Sequence, residues 1–254
     1  MCGRYLLRTS PEEVRDTFGY AAQPNFPPRY NIAPTQPIPI VREDAGDRAS
    51  PEFALVRWGL LPPWVKDIKD FPTLINARSE EAANKPAFRT AMRRRRCLIP
   101  ADGFYEWQKA ENGKKQPYLI QRPDAQVFAF AGLWETWMDA QGNELESAAI
   151  LTTAANETLT PLHHRMPVVI EKEDRARWLH CDETSGDDIS DLLKAAPEDY
   201  FRAFPVSTRV NSVANDDESL VVPLADEQTP AATDKEKPSA KKKPKAGDGQ
   251  MSLF

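Results

Sequence analysis

Cysteine is scarce. The chain of 254 residues has three, Cys2, Cys97 and Cys181, odd in number and far apart, with no CxxC pair. That excludes a disulfide framework and fits a reducing compartment. No apolar run approaches the length of a membrane span, and no charged-then-apolar leader opens the sequence. The expectation is a cytoplasmic protein with no membrane contact. Positive charge is short as well: 33 Lys and Arg against 38 Asp and Glu leave a net charge of −5. A protein basic throughout is excluded, so any nucleic-acid site has to be a local patch.

Proline is plentiful. The 23 prolines argue against long helices and suit short strands joined by ordered loops, while 41% hydrophobic residues supply a sizeable core. Cys2 to Arg8 reads as a first strand. Ser10-Pro11-Glu12-Glu13 starts a helix, with Ser10 as N-cap, Pro11 in first position and Gly19 as the stop. Strands are expected at Pro37 to Val41 and Phe53 to Trp58. Leu60-Leu61-Pro62-Pro63-Trp64 is an irregular, stiff loop that presents Leu61 and Trp64. A short helix is expected around Ser79 to Asn84. A second, Pro86 to Arg96, ends in four arginines, which favour a helix C-terminus without any further role. Cys97 begins a strand toward Gly103-Phe104-Tyr105-Glu106-Trp107, and Glu111 to Lys114 is a hairpin turn. Pro117 to Gln121 and Val127 to Ala131 look paired with each other. Strands follow at Ser147 to Thr153, Val168 to Ile170 and Phe204 to Val206, with helices at Asp174 to Cys181 and Ile189 to Ala196. No βαβ rhythm is present. The expected class is α+β, with a largely antiparallel sheet or open barrel and short peripheral helices.

Several residues carry chemistry. If the initiator Met1 is removed, Cys2 presents a free α-amine and a thiol on adjacent carbons, with reference pKa values of about 7.7–8.0 and about 8.5. Such a pair condenses with an aldehyde to an imine and closes a thiazolidine. Alternatively, Cys2 is a small buried residue near an ordered terminus. Asn76 and Arg78 face the same way if Leu74 to Glu80 is extended, as a phosphate or nucleophile site needs; a turn Asn and a solvated Arg fit equally. Glu106 lies among aromatics, where a carboxylate is costly and its pKa rises, unless it faces outward. His163-His164-Arg165 has no spacing that would add further zinc ligands. His163 suits proton transfer near neutrality, or lies on the surface beside Arg165.

Met1-Cys2-Gly3-Arg4-Tyr5, Arg29 to Pro34, Arg57 to Leu60, Leu74 to Glu80, Arg96 to Trp107 and Leu162 to Pro167 together resemble the SRAP family, the SOS response-associated peptidase-like proteins. The likeness runs in the family's order over roughly residues 2 to 224. It implies binding of single-stranded DNA and a covalent thiazolidine crosslink to abasic sites through Cys2. It implies that Asn76 positions Cys2 and the sugar, that Glu106 orients or deprotonates the α-amine, and that His163 protonates the sugar ring oxygen. Arg4, Arg78 and Arg165 would hold the flanking phosphates, which position without reading sequence. Trp64 or Leu61 would stack on a base or wedge beside one. No metal or cofactor is implied. His164 departs from the family, standing where an acidic residue is more usual.

Beyond about residue 225 large apolar residues vanish, and residues 225–249 read as a linker unable to fold alone, with a cluster at Lys241 to Lys245. Gln250-Met251-Ser252-Leu253-Phe254 resembles the bacterial sliding-clamp-binding peptide, with Gln250 at the pocket rim and Leu253 and Phe254 as apolar anchors. The family likeness implies that the protein shields the lesion at stalled replication forks, in the nucleoid, and a protein working there has reason to carry such a tail. Two other readings remain: a cysteine peptidase or self-processing enzyme, and a noncovalent clamp-associated adaptor with an inert Cys2.

Overall fold

Among the described residues, short apolar runs punctuated by proline fold into twelve strands and four short α-helices. The computed structural model describes residues 2–44, 50–109, 113, 115–184 and 188–224. The strands are β1 (Tyr5–Leu7), β2 (Arg29–Ile32), β3 (Pro37–Glu43), β4 (Pro51–Trp58), β5 (Asn76–Arg78), β6 (Arg96–Ala101), β7 (Gly103–Lys109), β8 (Lys115–Gln121), β9 (Phe128–Met138), β10 (Glu144–Ala154), β11 (Arg165–Pro167) and β12 (Arg202–Pro205). The helices are α1 (Pro11–Phe18), α2 (Ser79–Ala82), α3 (Arg89–Arg94) and α4 (Arg175–Leu179). By its contacts the chain divides into Met1–Leu224 and Ala225–Phe254. The second unit lies outside the described residues, and with it the linker, the lysine cluster and the peptide Gln250 to Phe254. The turn expected at Glu111 to Lys114 lies outside them too, apart from Gly113.

One sheet has the order β12-β8-β7-β1-β2 and is antiparallel throughout. The other runs β11-β10-β4-β3-β6-β9, and β9 pairs back onto β10. Strands β10, β4, β3, β6 and β9 therefore close a circuit, which leaves few open edges. The long β10 makes this possible. Ser147 and Ala148 pair in parallel with β4, and Ile150 to Thr152 pair in parallel with β5 further along. The expected α+β class, largely antiparallel, is the class observed. Among the described residues no helix is long and apolar enough to cross a membrane.

Local signals decide the first helix. Ser10 Oγ accepts from the Glu13 N–H at 3.2 Å, and Gly19 ends α1 at φ 76°, a left-handed turn that glycine enters without a Cβ clash. Val14 and Phe18 are its buried face.

Tertiary contacts overrule other expectations. Strands β8 and β9 do not pair with each other. β8 joins β7 and β12, while β9 joins β6 and β10, so the turn between them crosses from one sheet to the other. The helix expected over Ile189 to Ala196 is only a 3-10 turn at Ser190–Leu192. Asn156 Nδ2 donates to the carbonyls of Ala196 and Pro197, both at 3.1 Å, and anchors the chain just past that turn. The second helix is shorter than expected because Arg96 leaves it for β6. There its buried guanidinium donates to the carbonyls of Trp178 at 2.6 Å and Met92 at 3.2 Å. The strand expected at Val168 to Ile170 forms three residues earlier, as β11, and only Val169 keeps a bridge, to Phe130.

Asp102 is the corner that brings the site together. Buried between β6 and β7, its carboxylate accepts from the Thr9 N–H at 2.8 Å and from Thr9 Oγ1 at 2.5 Å, and its own N–H donates to Leu6 O at 3.0 Å. The chain thus passes from the closed circuit into the five-stranded sheet beside β1. Tyr5 pairs with Phe104 and Leu6 with Gly103. The Tyr105 N–H then donates to Arg4 O at 2.9 Å, so the chain start continues antiparallel along β7 toward Glu106.

Candidate functional site

Alternation along β7 sends Tyr105 and Trp107 to one face and Phe104 and Glu106 to the other. Phe104 belongs to the main core, so Glu106 is buried, 5% exposed, rather than outward-facing. Burial raises its pKa above the usual carboxylate range, although the positive charge of the chain's amino end opposes the shift.

Cys2 is fully buried at the chain start alongside. Its thiol pKa is pushed far above the ordinary value by burial first and by the Glu106 charge second. The thiol therefore stays protonated at neutral pH, without even the small thiolate fraction of a free cysteine. Its Sγ contacts Arg4 O at 3.9 Å. Asn76, at the start of β5, donates from Nδ2 to Cys2 O at 2.8 Å. Its Oδ1 is buried and has no hydrogen-bond partner among the described residues. The parallel pairing of Asn76 with Ile150 fixes β5 on β10, and that strand carries Arg78 on the same side as Asn76.

His163 lies in the turn between β10 and β11. The Arg165 N–H donates to His163 Nδ1 at 3.0 Å, which favours the tautomer with the ring hydrogen on Nε2, while Nδ1 also lies 3.3 Å from Arg165 O. Burial lowers the His163 pKa below 6.5, and the charge of the chain's amino end lowers it further. The ring is neutral at pH 7 and stacks on His164, with centroids 4.3 Å apart. Gln108 of β7 reaches this loop through Pro161 O at 3.4 Å.

The three arginines differ. Arg78 is exposed, and its pairing with Glu81 is long at 3.4 Å. Arg4 Nη1 donates to Asn31 Oδ1 at 2.7 Å and Val210 O at 3.0 Å. Arg165 is held by both oxygens of Glu80, each at 2.8 Å, and by Thr152 O. An incoming phosphate at Arg165 has to share the guanidinium with Glu80 or displace it.

Trp64 is 57% exposed on the loop between β4 and β5, edge-on to Phe71 at 5.4 Å. Leu61 is not presented with it. It packs with Val65 and Trp137, and its N–H donates to Ser147 Oγ at 2.9 Å. Among the described residues no group of three or more His, Cys, Asp or Glu is placed to hold a metal ion.

The profile of the SOS response associated peptidase (SRAP) family matches residues 1–213. The chain belongs to the SRAP family. Among its SRAP relatives, the abasic site processing protein YoqW of Bacillus subtilis is 37% identical over 224 residues, covering 87% of this chain and 99% of that protein. The abasic site processing protein YedK of Escherichia coli is 33% identical over 235 residues, covering 88% of this chain and all of that one. The abasic site processing protein HMCES of Gallus gallus is 30% identical, covering 88% of this chain and 78% of its own length. A crystal structure of a protein from Bacteroides thetaiotaomicron superposes with a TM-score of 0.78 at 26% identity, covering 88% of this chain and all of that one.

Two contributors to this SRAP site escape sequence reasoning. Asn31 is fully buried and ties Arg4 to the carbonyls of Val210, Ser212 and Asn215. Glu80 occupies Arg165. Both fall inside the family motifs, but nothing in their spacing identifies partners 181 or 85 residues away.

Proposed function

We propose that this chain binds single-stranded DNA and captures abasic sites covalently through Cys2, which becomes the first residue when Met1 is removed. The curated relatives are named abasic site processing proteins. The observation that carries the reading is the 2.8 Å hydrogen bond from Asn76 to Cys2 O, which fixes the Cys2 backbone with its thiol buried beside Glu106.

An abasic deoxyribose equilibrates with a ring-opened aldehyde. His163, with its hydrogen on Nε2, hands a proton toward the ring oxygen as the sugar opens. The Cys2 α-amine attacks the aldehyde carbon, and loss of water gives the imine. The thiol sulfur then bonds to the imine carbon, the C=N π-pair takes a proton, and the five-membered thiazolidine closes. The net change is one C–N bond, one C–S bond and one water released. Because burial holds the thiol protonated, the amine acts first, and Glu106 accepts its proton. Asn76 keeps the amine aimed while its Oδ1 accepts from a sugar hydroxyl. Arg4, Arg78 and Arg165 hold the flanking phosphates and Trp64 stacks on a base. In this reading residues 2–224 are the catalytic domain and residues 225–249 a tether. Gln250, Leu253 and Phe254 dock on the sliding clamp and raise the local concentration at the fork.

The test is intact mass after incubation with a single-stranded oligonucleotide bearing one abasic site. The expected species lacks Met1, carries the oligonucleotide, has lost one water and survives heating. Absence of an adduct from protein already free of Met1 refutes the aldehyde trap, and turnover of peptides would then support the peptidase reading. Clamp binding that persists after deletion of the last five residues removes the role given to the tail.

A further inference from the structure

Outside the site described, one group of charges has no internal explanation. Helix α3 exposes Arg89, Arg93 and Arg94, which with Thr90 line a recess of ≈ 410 Å³. Their neighbours have acidic partners: Arg78 and Lys85 share Glu81, and Arg95 pairs with Glu135. No hydrogen bond or ion pair ties the side chains of Arg89, Arg93 and Arg94 to any described residue. Arg93 and Arg94 fall in the last turn, where positive charge favours the helix end. Arg89 opens the helix, where positive charge is unfavourable, and no acidic residue sits in that first turn. Arg89 and Arg93 are also four apart, a like-charged pair that weakens a helix by a few tenths of a kcal/mol, roughly 0.2–0.5. Local stability therefore accounts for Arg93 and Arg94 but not for Arg89, and it leaves all three guanidinium groups open to an anion from outside.

The patch lies within reach of the site. Helix α3 leads into β6, where Cys97 pairs with Gly132, Gly132 with Ile150, and Ile150 with Asn76. Three strand spacings of ~4.8 Å put Asn76 about 14 Å along the sheet from Cys97, which stands three residues past the end of α3. That is about four nucleotides of stacked strand at ~3.4 Å each. Arginines bind phosphate in a bidentate fork, and a chain with net charge −5 has to place such contacts locally.

We propose that Arg89, Arg93 and Arg94 form a second phosphate-binding surface, which grips the DNA backbone several nucleotides from the lesion. This rests on the single-stranded DNA reading above. The experiment measures noncovalent binding by fluorescence anisotropy across a salt series. It uses a lesion-free 20-nucleotide strand and a 3-nucleotide strand too short to span both regions. For R89Q/R93Q/R94Q the slope of log K against log salt on the long strand becomes shallower by about 2, three phosphates at roughly 0.7 each. Binding of the short strand is unchanged, R89K/R93K/R94K restores the slope, and the melting temperature stays at the wild-type value. An unchanged slope on the long strand overturns the proposal and assigns the arginines to an acidic protein surface. Equal loss on both strands also overturns it, because the patch would not be remote. The adduct assay reads the underlying function separately. Wild-type protein that binds lesion-free strands but forms no adduct ends the covalent reading and leaves the arginine measurement standing. Wild-type protein that binds neither strand overturns both.

Discussion

Asn76→Ala removes one hydrogen bond, the 2.8 Å contact from Nδ2 to Cys2 O. A neutral bond of this kind contributes about 1 kcal/mol net to stability. The same substitution removes a buried Oδ1 that has no partner among the described residues, which offsets part of that loss. The expected destabilisation is below about 1 kcal/mol, or under ~4 °C in melting temperature for a domain of this size. The effect on crosslinking is larger. Each ~1.4 kcal/mol is tenfold in rate, and a displacement of about 1 Å in a reacting group can cost roughly a hundredfold. The single-turnover rate of adduct formation is therefore expected to fall about 10- to 100-fold. Asn76→Asp is expected to fall further, because it replaces the donor facing Cys2 O with a charged acceptor. The assay uses protein in saturating excess over an end-labelled abasic oligonucleotide, quenched over time, so that binding affinity drops out. A rate within twofold of wild type refutes the positioning argument. So does a melting temperature that falls by more than about 10 °C, which would make Asn76 a structural residue.

Glu106→Gln is expected to raise stability while abolishing crosslinking. Burial lifts the Glu106 pKa above 4.5, so the folded chain binds its proton more tightly than the unfolded chain. Stability is lost as pH rises from 4.5 through the raised value, and Gln carries no such loss. Calorimetry at pH 5 to 7 checks this, and a variant that melts below wild type at pH 7 contradicts it. For His163 the sign is opposite. Its pKa lies below 6.5, so protonation is disfavoured in the fold and stability falls as pH drops from 6.5 through the lowered value. An NMR titration is expected to put the imidazole midpoint below 6.5. Glu80→Gln releases Arg165 from a partly exposed ion pair worth about 0.3–1 kcal/mol. Binding of single-stranded DNA is expected to tighten about two- to fivefold, and no gain in anisotropy titrations would mean that Arg165 meets no phosphate. Gly59 has φ 128°, and a Cβ there would lie 2.5 Å from Thr73 Cγ2 and 2.8 Å from Arg57 Nη1. Gly59→Ala is expected to destabilise by about 1–3 kcal/mol, read as a lower melting temperature.

Chemistry was legible where it is local. The cap at Ser10, the stop at Gly19 and the extended run through Asn76 and Arg78 depend on neighbours in sequence, and each forms as read. Alternation placed Glu106 on one face of a strand but left open which face is buried. Phe104 joining the main core decides that. The pairing assigned to β8 and β9 failed because strand partners are chosen by sheets, and turn chemistry alone cannot say that a turn crosses between them. The Ile189 to Ala196 periodicity was real but short, and the chain closes only a 3-10 turn there.

The sequence by itself determined the α+β class and the SRAP motifs, and it singled out Cys2, Asn76, Glu106 and His163 as candidates. Those follow from residue type and short-range pattern. Only the tertiary structure decided the protonation of the site. The thiol is held neutral, the carboxyl pKa raised and the imidazole pKa lowered because three distant segments bury one another. It also decided that Arg165 comes already occupied by Glu80, while Arg89, Arg93 and Arg94 are left facing solvent. Burial and charge pairing depend on distances in space, and no spacing along the chain encodes them.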